Sequence, residues 1–191
     1  MNVQKINVKL FTNAPEPVPL DPFLDVFARW REDRDDPAGW IDLADYAHVA
    51  KGPGVMLIGR RGNLSVDLAD PGPGLLWANK QDLAGSHEER IREIFVRAIG
   101  LMRRLVGELE YPAALEPRTG FWELTVNDRL VFPNTDATDR SLQPAVAAVA
   151  ARLFGPDACT LVRQPDPGRR YGFTLHSDDP PNLDALAGAL S

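Results

Sequence analysis

The chain has 191 residues, of which 44% are hydrophobic and 25% charged, as in an ordinary globular protein with room for one sizeable core. Its formal net charge of -6 argues against nucleic acid as the main partner, because proteins that hold phosphate backbones are usually basic. The single cysteine, Cys159, excludes an internal disulfide. The sequence shows no signal-peptide pattern and no apolar run of roughly 20 residues, so we expect a cytoplasmic protein with no membrane span.

The N-terminal segment predicts one strand followed by one helix. KINVKLF alternates apolar with polar residues, as in a half-buried strand, and the three prolines of NAPEPVP end it. A helix follows, for which Asp21 is the expected cap and Pro22 the expected first residue. Its apolar face holds Phe23, Phe27 and Trp30, at i, i+4 and i+7.

Residues 40–80 predict four strands. WIDLADY and LSVDL alternate, and GLLWANK is a further candidate after the DPGPG turn. The continuous apolar run VMLIG is typical of a strand that is buried on both faces. GRRGN, between VMLIG and LSVDL, fits a short hairpin loop.

The second half predicts two long helices and two hairpins. The longest helix begins at SHEE, a capping box in which Ser86 bonds the amide of Glu89 and Glu89 reaches back. FWELTVNDRLVF predicts a hairpin with Leu130 and Phe132 on its second strand. A helix follows that is expected to start near Ser141, since Pro144 is disfavoured in a helix interior. CTLV and YGFTLHS predict another hairpin before a short C-terminal helix.

Strands therefore come in runs and do not alternate with helices. This order predicts an α+β fold with a mainly antiparallel sheet and two or three packed helices. We expect one domain over residues 1–191, and a division into two lobes near 111–117 remains open. The preference for Ala, Arg, Pro and Asp over Lys and Asn favours a bacterial origin.

The segment GPGVMLIGRRGN, residues 52–63, has two interpretations. The amides of Gly52 and Gly54 could form an anion-binding nest to which Arg60 and Arg61 add charge. The segment lacks the Gly-Lys-Ser/Thr of a P-loop, however, and it leads into a strand and not into a helix. We favour two turns that bracket a strand and keep these four residues as ligand-binding candidates.

Asp42, Asp45 and His48 are the candidate metal ligands, spaced three residues apart. A bend near Tyr46 could bring them together, and two carboxylates with one imidazole could hold Mn²⁺, Fe²⁺ or Zn²⁺. They could equally form a general base with its orienting carboxylate. Because this spacing is common by chance, surface or structural roles are favoured.

The leading hypothesis is a non-catalytic binding, accessory or regulatory module without a cofactor, which acts through a protein partner or self-association as a homodimer. Trp77, Trp122 and Tyr171 are candidate interface anchors, because large rigid rings supply contact energy, although we expect Trp122 in the core.

The alternative hypothesis is a small-ligand or metal-dependent enzyme with a site around Asp45, His48, Lys80, Asp128 and Arg129. The imidazole would act as base or ligand, and the cations would hold an anionic substrate. Structural roles are favoured for these residues, with Asp128 explained as a turn residue. Arg129 could be a carboxylate or phosphate clamp, or could pair with Asp128 or a neighbouring strand, and Lys80 at the end of a strand has the same ambiguity.

Four segments together, KINVKLF, DLADYAHVAKGPGVMLIG, LLWANK and VNDRLVFPN, resemble an uncharacterised family of bacterial proteins of about this length. The resemblance covers most of the chain up to Gly155. It implies that the aspartate–tyrosine–histidine segment, the Gly-Pro-Gly turn and the Asn-Asp-Arg hairpin form one cluster, and it implies no activity.

Overall fold

The computed structural model describes residues 2–109 and 115–190. The strands are β1 (Ile6–Asn13), β2 (Trp40–Tyr46), β3 (Gly54–Gly59), β4 (Gly62–Asp67), β5 (Gly74–Asn79), β6 (Glu116–Val126), β7 (Thr160–Arg163) and β8 (Gly172–His176). The helices are α1 (Asp21–Glu32), α2 (His87–Glu108), α3 (Asp136–Phe154) and α4 (Leu183–Ala189).

The eight strands form one antiparallel sheet in the order β2-β3-β4-β5-β1-β6-β8-β7. This confirms the predicted α+β class with strands in runs. β1 lies inside the sheet, where it pairs with β5 on one side and β6 on the other. The boundary predicted near 111–117 lies largely outside the described residues, and strands from both sides of it share this sheet.

The helices pack on one face of the sheet. α1 contacts β2 and β3, α2 contacts β1 and β5, and α3 and α4 both contact α2. Apart from Phe11, the buried apolar side chains of the strands belong to one alternation phase. Leu64, Trp77, Val8 and Leu124, for example, lie in register on β4, β5, β1 and β6, and all are at most 1% exposed.

The prediction that VMLIG is buried on both faces is wrong. Val55 and Leu57 of β3 are fully buried, but Met56 and Ile58, which alternate with them, are only half-buried. The two pairs point to opposite faces because side chains alternate along a strand. The core cluster contains Val55 and Leu57 but neither Met56 nor Ile58.

The sequence predicts the N-terminal cap of α2 correctly and that of α1 incorrectly. At α2, the Ser86 hydroxyl accepts the Glu89 amide at 3.3 Å, and the Ser86 amide donates to the Glu89 carboxylate at 2.7 Å, which confirms the capping box. At α1, the predicted cap Asp21 is instead the first helical residue, and the cap is Leu20 without a side-chain bond. In the first turn the Asp21 carboxylate still faces the positive end of the helix dipole.

The predicted hairpin over FWELTVNDRLVF is wrong. β6 is one long strand, and residues 127–133 form turns, in which the Phe132 amide donates to the Asp128 carbonyl at 2.8 Å. The Asp128 carboxylate also accepts the Val131 amide at 3.2 Å. These local bonds compete with a strand ladder, and Pro133 has no amide hydrogen to add to one.

The third helix begins earlier than the predicted start near Ser141. α3 starts at Asp136, and the Thr135 hydroxyl accepts the Thr138 amide at 3.4 Å as its cap. Pro144 therefore lies inside the helix and removes one backbone hydrogen bond. Burial of the apolar face of α3 outweighs this cost. The hairpins predicted around GRRGN and between CTLV and YGFTLHS are confirmed as β3–β4 and β7–β8.

Candidate functional site

The candidate aromatic anchors are all buried. Trp77, Trp122 and Tyr171 are 1%, 0% and 0% exposed, so the expected core position of Trp122 is confirmed and the expected exposure of the other two is wrong. The Tyr171 hydroxyl donates to the Asp139 carboxylate at 3.1 Å. Burial and that nearby carboxylate raise the pKa of Tyr171 well above its usual range, so the hydroxyl keeps its proton and its hydrogen bond to Asp139.

The candidate metal ligands do not converge. Asp42 and Asp45 are exposed on β2 and lie in opposite alternation phases, and each carboxylate accepts a nearby backbone amide at 2.8 Å. His48 follows in the next turn, with its ring centroid 6.5 Å from that of Tyr46. Within residues 2–109 and 115–190, no three His, Cys, Asp or Glu side chains form a group that could hold a metal ion.

The residues of the alternative enzyme site are spread over the sheet. Asp45 pairs with Val55 at one end of β3, whereas the Lys80 ammonium donates to the Gly59 carbonyl, at 3.2 Å, at the other end. At ~3.3 Å per residue the two ends of β3 are about 13 Å apart. The turn that carries Asp128 and Arg129 follows β6, which is separated from β3 by β4, β5 and β1. Asp45 and Lys80 therefore do not share a site.

The segment from Gly52 to Asn63 consists of two turns around β3. Gly54 has φ +56°, and a Cβ there would collide with the Val66 carbonyl, so glycine is required. The Gly52 amide donates to the Val49 carbonyl at 3.1 Å, so it is already used within the chain. Arg60–Arg61 forms the exposed two-residue loop of the β3–β4 hairpin.

The opposite face of the sheet, here called the uncovered face, adds none of its described side chains to the core cluster on which the helices pack. It carries apolar side chains that lie outside the core cluster and are half-buried: Met56 and Ile58 on β3, and Leu76 and Ala78 on β5. Met56, Ser65 and Leu76 lie in register on β3, β4 and β5. We call this set the β3–β5 patch.

A buried ion pair lies beside the patch on the same face. The Lys9 ammonium donates to the Asp67 carboxylate at 2.6 Å and to the Ala69 carbonyl at 2.9 Å. The two side chains are only 3% and 12% exposed. The ammonium also lies 4.9 Å from the centre of the Phe11 ring. These bonds hold the loop after β4 against the uncovered face beside the β3–β5 patch, and the charge of Lys9 is paired with that of Asp67.

A cleft of about 350 Å³ opens at the other end of the uncovered face, between β6 and the β7–β8 loop. We call it the arginine cleft. Its lining consists of Glu123, Thr125, Arg129, Gln164, Gly168, Arg169, Arg170 and Gly172. The Arg129 guanidinium donates to the Gly168 carbonyl at 2.5 Å and so joins the turn after β6 to the β7–β8 loop.

The three arginines of this cleft are not paired with carboxylates of the described residues. The acidic groups nearby accept local donors. Glu123 accepts the Thr125 hydroxyl at 3.1 Å, Asp166 accepts the Gly168 amide at 2.8 Å, and Asp128 accepts an amide of its own turn. The lining therefore holds three cationic groups and one carboxylate.

An apolar tip stands beside the arginine cleft. Leu130 is 97% exposed and Val131 is 39% exposed, directly after Arg129. The sequence pattern placed Leu130 on a strand, so this exposure was missed. It also missed Arg169 and Arg170, for which the one available signal is the Pro-Gly turn that precedes them.

Comparison with known proteins finds no match to the chain among protein families, curated proteins or solved structures. The resemblance carried by DLADYAHVAKGPGVMLIG and NDRLVFPN therefore stays a prediction. In the described ranges, no helix combines the length and the apolar character that a membrane crossing requires.

Proposed function

We propose that this chain is a non-catalytic module that binds a protein partner through the uncovered face of its sheet. The observation that carries the proposal is the β3–β5 patch. An antiparallel sheet with one face in water normally places polar residues at the outward positions. Here Met56 and Ile58 on β3 and Leu76 on β5 occupy outward positions on either side of β4, and apolar surface of this kind, rimmed by polar groups, marks interaction sites.

The shape of the patch favours a protein partner over a small molecule. The patch extends over three consecutive strands, so Met56 on β3 and Leu76 on β5 lie two strand spacings, about 10 Å, apart with Ser65 between them. Together these side chains form a platform, whereas small-molecule sites are concave. Ser65 and Ala78 are small, so the larger neighbours stand out from the sheet. The apolar surface continues at edge strand β2 and the turn after it, where Tyr46 is 37% and Val49 is 38% exposed.

The enzyme alternative requires carboxylate, imidazole and cations in one place. Asp45 lies at the far end of β3 from the Lys80 contact, and His48 lies in the turn beyond β2. A binding role needs no such convergence, because a platform of side chains binds through area and fit. The geometry therefore favours binding over catalysis.

The proposal is tested by comparing Leu76→Lys on the uncovered face with Val96→Lys on α2, where Val96 is 42% exposed. Both variants add one charge at a surface position. After cross-linking in the cells that make the protein, we expect Leu76→Lys to lose the partner captured by wild type at least tenfold and Val96→Lys to retain it, as measured by quantitative mass spectrometry.

Thermal unfolding by circular dichroism establishes that both variants are folded, and size-exclusion chromatography with light scattering identifies a second copy of the chain as the partner. Equal capture by both variants, or no capture by wild type above an empty resin, would contradict the proposal.

A further inference from the structure

We infer that the partner presents an acidic, extended segment to the uncovered face and that the arginine cleft binds its carboxylates. This inference rests on the proposed function and names the chemistry of the partner. Arg129, Arg169 and Arg170 line one cleft without carboxylate partners among the described residues, in a chain whose formal net charge is -6. The planar guanidinium fork binds carboxylates through two parallel hydrogen bonds.

The cleft is held in shape before a ligand arrives. Asn134, only 4% exposed, donates to the carbonyls of Gln164 and Asp166, both at 2.9 Å, and so anchors the β7–β8 loop to the chain before α3. The Arg163 guanidinium donates to the Asn134 side-chain oxygen at 2.9 Å. The hydrogen bond from the Arg129 guanidinium to the Gly168 carbonyl connects the same loop to the turn after β6. A preformed site loses little conformational entropy on binding.

The arginine cleft and the β3–β5 patch belong to one continuous surface. Thr125 and Gly172 of the cleft lie in the same cross-strand row as Asn7 of β1 and Ala78 of the patch. Three strand spacings of ~4.8 Å separate β5 from β8, a distance of about 14 Å. Four to five extended residues cover this distance, so one short segment reaches both. Such a segment would place apolar side chains on the patch and acidic side chains in the cleft.

An extended peptide suits this site better than an anionic membrane surface. The arginines line a concavity that also includes Gly168 and Gly172, where little side-chain bulk blocks an approaching backbone. A flat membrane surface would meet the Leu130 tip but would not fill the cleft. The experiment below distinguishes an acidic peptide from an anionic membrane and from a second copy of the chain.

The test is a selection from a library of random 12-residue peptides against the intact protein. We expect the enriched peptides to contain acidic and apolar residues. For the best labelled peptide, fluorescence anisotropy should give a Kd at least tenfold weaker for Arg169→Gln/Arg170→Gln than for wild type. The matched control is Arg60→Gln/Arg61→Gln, which removes two adjacent exposed arginines from another hairpin loop and should change Kd less than twofold.

A second variant, Arg169→Lys/Arg170→Lys, keeps the charge but removes the guanidinium fork. It should bind with an intermediate Kd. Circular dichroism establishes that all three double variants are folded. If both cleft variants bind the peptide as tightly as wild type, the inference is wrong.

The remaining outcomes separate the inference from the proposed function. Enriched peptides that lack acidic residues but lose binding with Leu76→Lys would overturn the inference and leave the proposed function standing. No enrichment at all would contradict both. If the wild type binds phosphatidylserine vesicles and Arg169→Gln/Arg170→Gln does not, a membrane replaces the acidic segment as the ligand of the cleft. If the wild type is a dimer and the same variant is a monomer, a second copy of the chain replaces it. Either result would overturn the inference.

Discussion

The two faces of the sheet are built from the same strands but differ in composition. Leu75 and Leu76 are neighbours in β5, yet Leu75 is 2% exposed in the helix-covered core and Leu76 is half-buried on the uncovered face. The covered face of the central strands is apolar, whereas the uncovered face mixes apolar residues with Ser65 and the Lys9–Asp67 pair. Alternation thus divides the residues between two faces, and tertiary packing decides which face helices cover.

The largest expected effect comes from the ion pair on the uncovered face. Lys9→Ala should lower the free energy of unfolding by about 3–5 kcal/mol, because it leaves the Asp67 carboxylate without its partner in a site shielded from water. Urea denaturation measures this change. The double variant Lys9→Met/Asp67→Leu should recover most of the loss. A cost below about 1 kcal/mol for Lys9→Ala would show that the pair is effectively solvated.

Two identical substitutions on adjacent residues compare the faces directly. Leu75→Ala should lower the free energy of unfolding by about 2–5 kcal/mol, because it leaves a cavity in the core. Leu76→Ala should cost about 1 kcal/mol or less, because its side chain is only half-buried and lies outside the core cluster. Urea denaturation of both variants gives the difference, and equal costs would show that the uncovered face is as tightly packed as the core.

A smaller effect is expected at the helix that spans the covered face. Ser86→Ala removes the side-chain acceptor from the Glu89 amide at the start of α2 and should cost about 1 kcal/mol. Ser86→Asp keeps an acceptor at this position and should cost less. Equilibrium unfolding in urea checks both values, and equal losses in the two variants would mean that the capping bond does not stabilise the fold.

The smallest effect is a pH dependence at His87, on the covered side. Burial lowers the pKa of His87, and the nearby charge of Arg90 lowers it further. As pH falls, the unfolded chain therefore binds this proton before the folded chain does. The stabilisation is complete above the pKa of an unfolded histidine and is lost as pH falls towards the lower folded pKa.

His87→Gln should therefore make the free energy of unfolding less dependent on pH between about pH 7 and pH 5. Urea denaturation at several pH values in this interval measures the slope. If wild type and His87→Gln have the same slope, His87 takes up its proton equally in both states.

Sequence reasoning succeeded where neighbours in the chain decide the structure. The capping box at Ser86 and Glu89 and the two-residue loop at Arg60–Arg61 both depend on contacts within a few residues. It failed at Leu130, where the bonds of Asp128 close a turn in place of a strand, and at Pro144, where the buried face of α3 outweighs a local penalty.

In the candidate site too, the sequence identifies a residue by its own chemistry but does not identify the residues that the fold brings close to it. The sequence marks Arg129 as a possible carboxylate clamp, because arginine forms bidentate pairs. It does not connect Arg129 with Arg169 and Arg170, because their proximity depends on the pairing of β6 with β8. The β3–β5 patch was missed for a related reason: VMLIG has the pattern of a fully buried strand, and the pattern does not show that one side lacks a cover.

The position of β1 has a consequence for synthesis on the ribosome. Ile6 of β1 pairs with Val126 of β6, so one side of β1 has no partner until β6, far along the sequence, has been made. Until then the backbone amides and carbonyls along that side are available to any other extended chain. The nascent protein therefore passes through a stage in which β1 is exposed to mispairing with other nascent chains, and this stage ends when β6 is made.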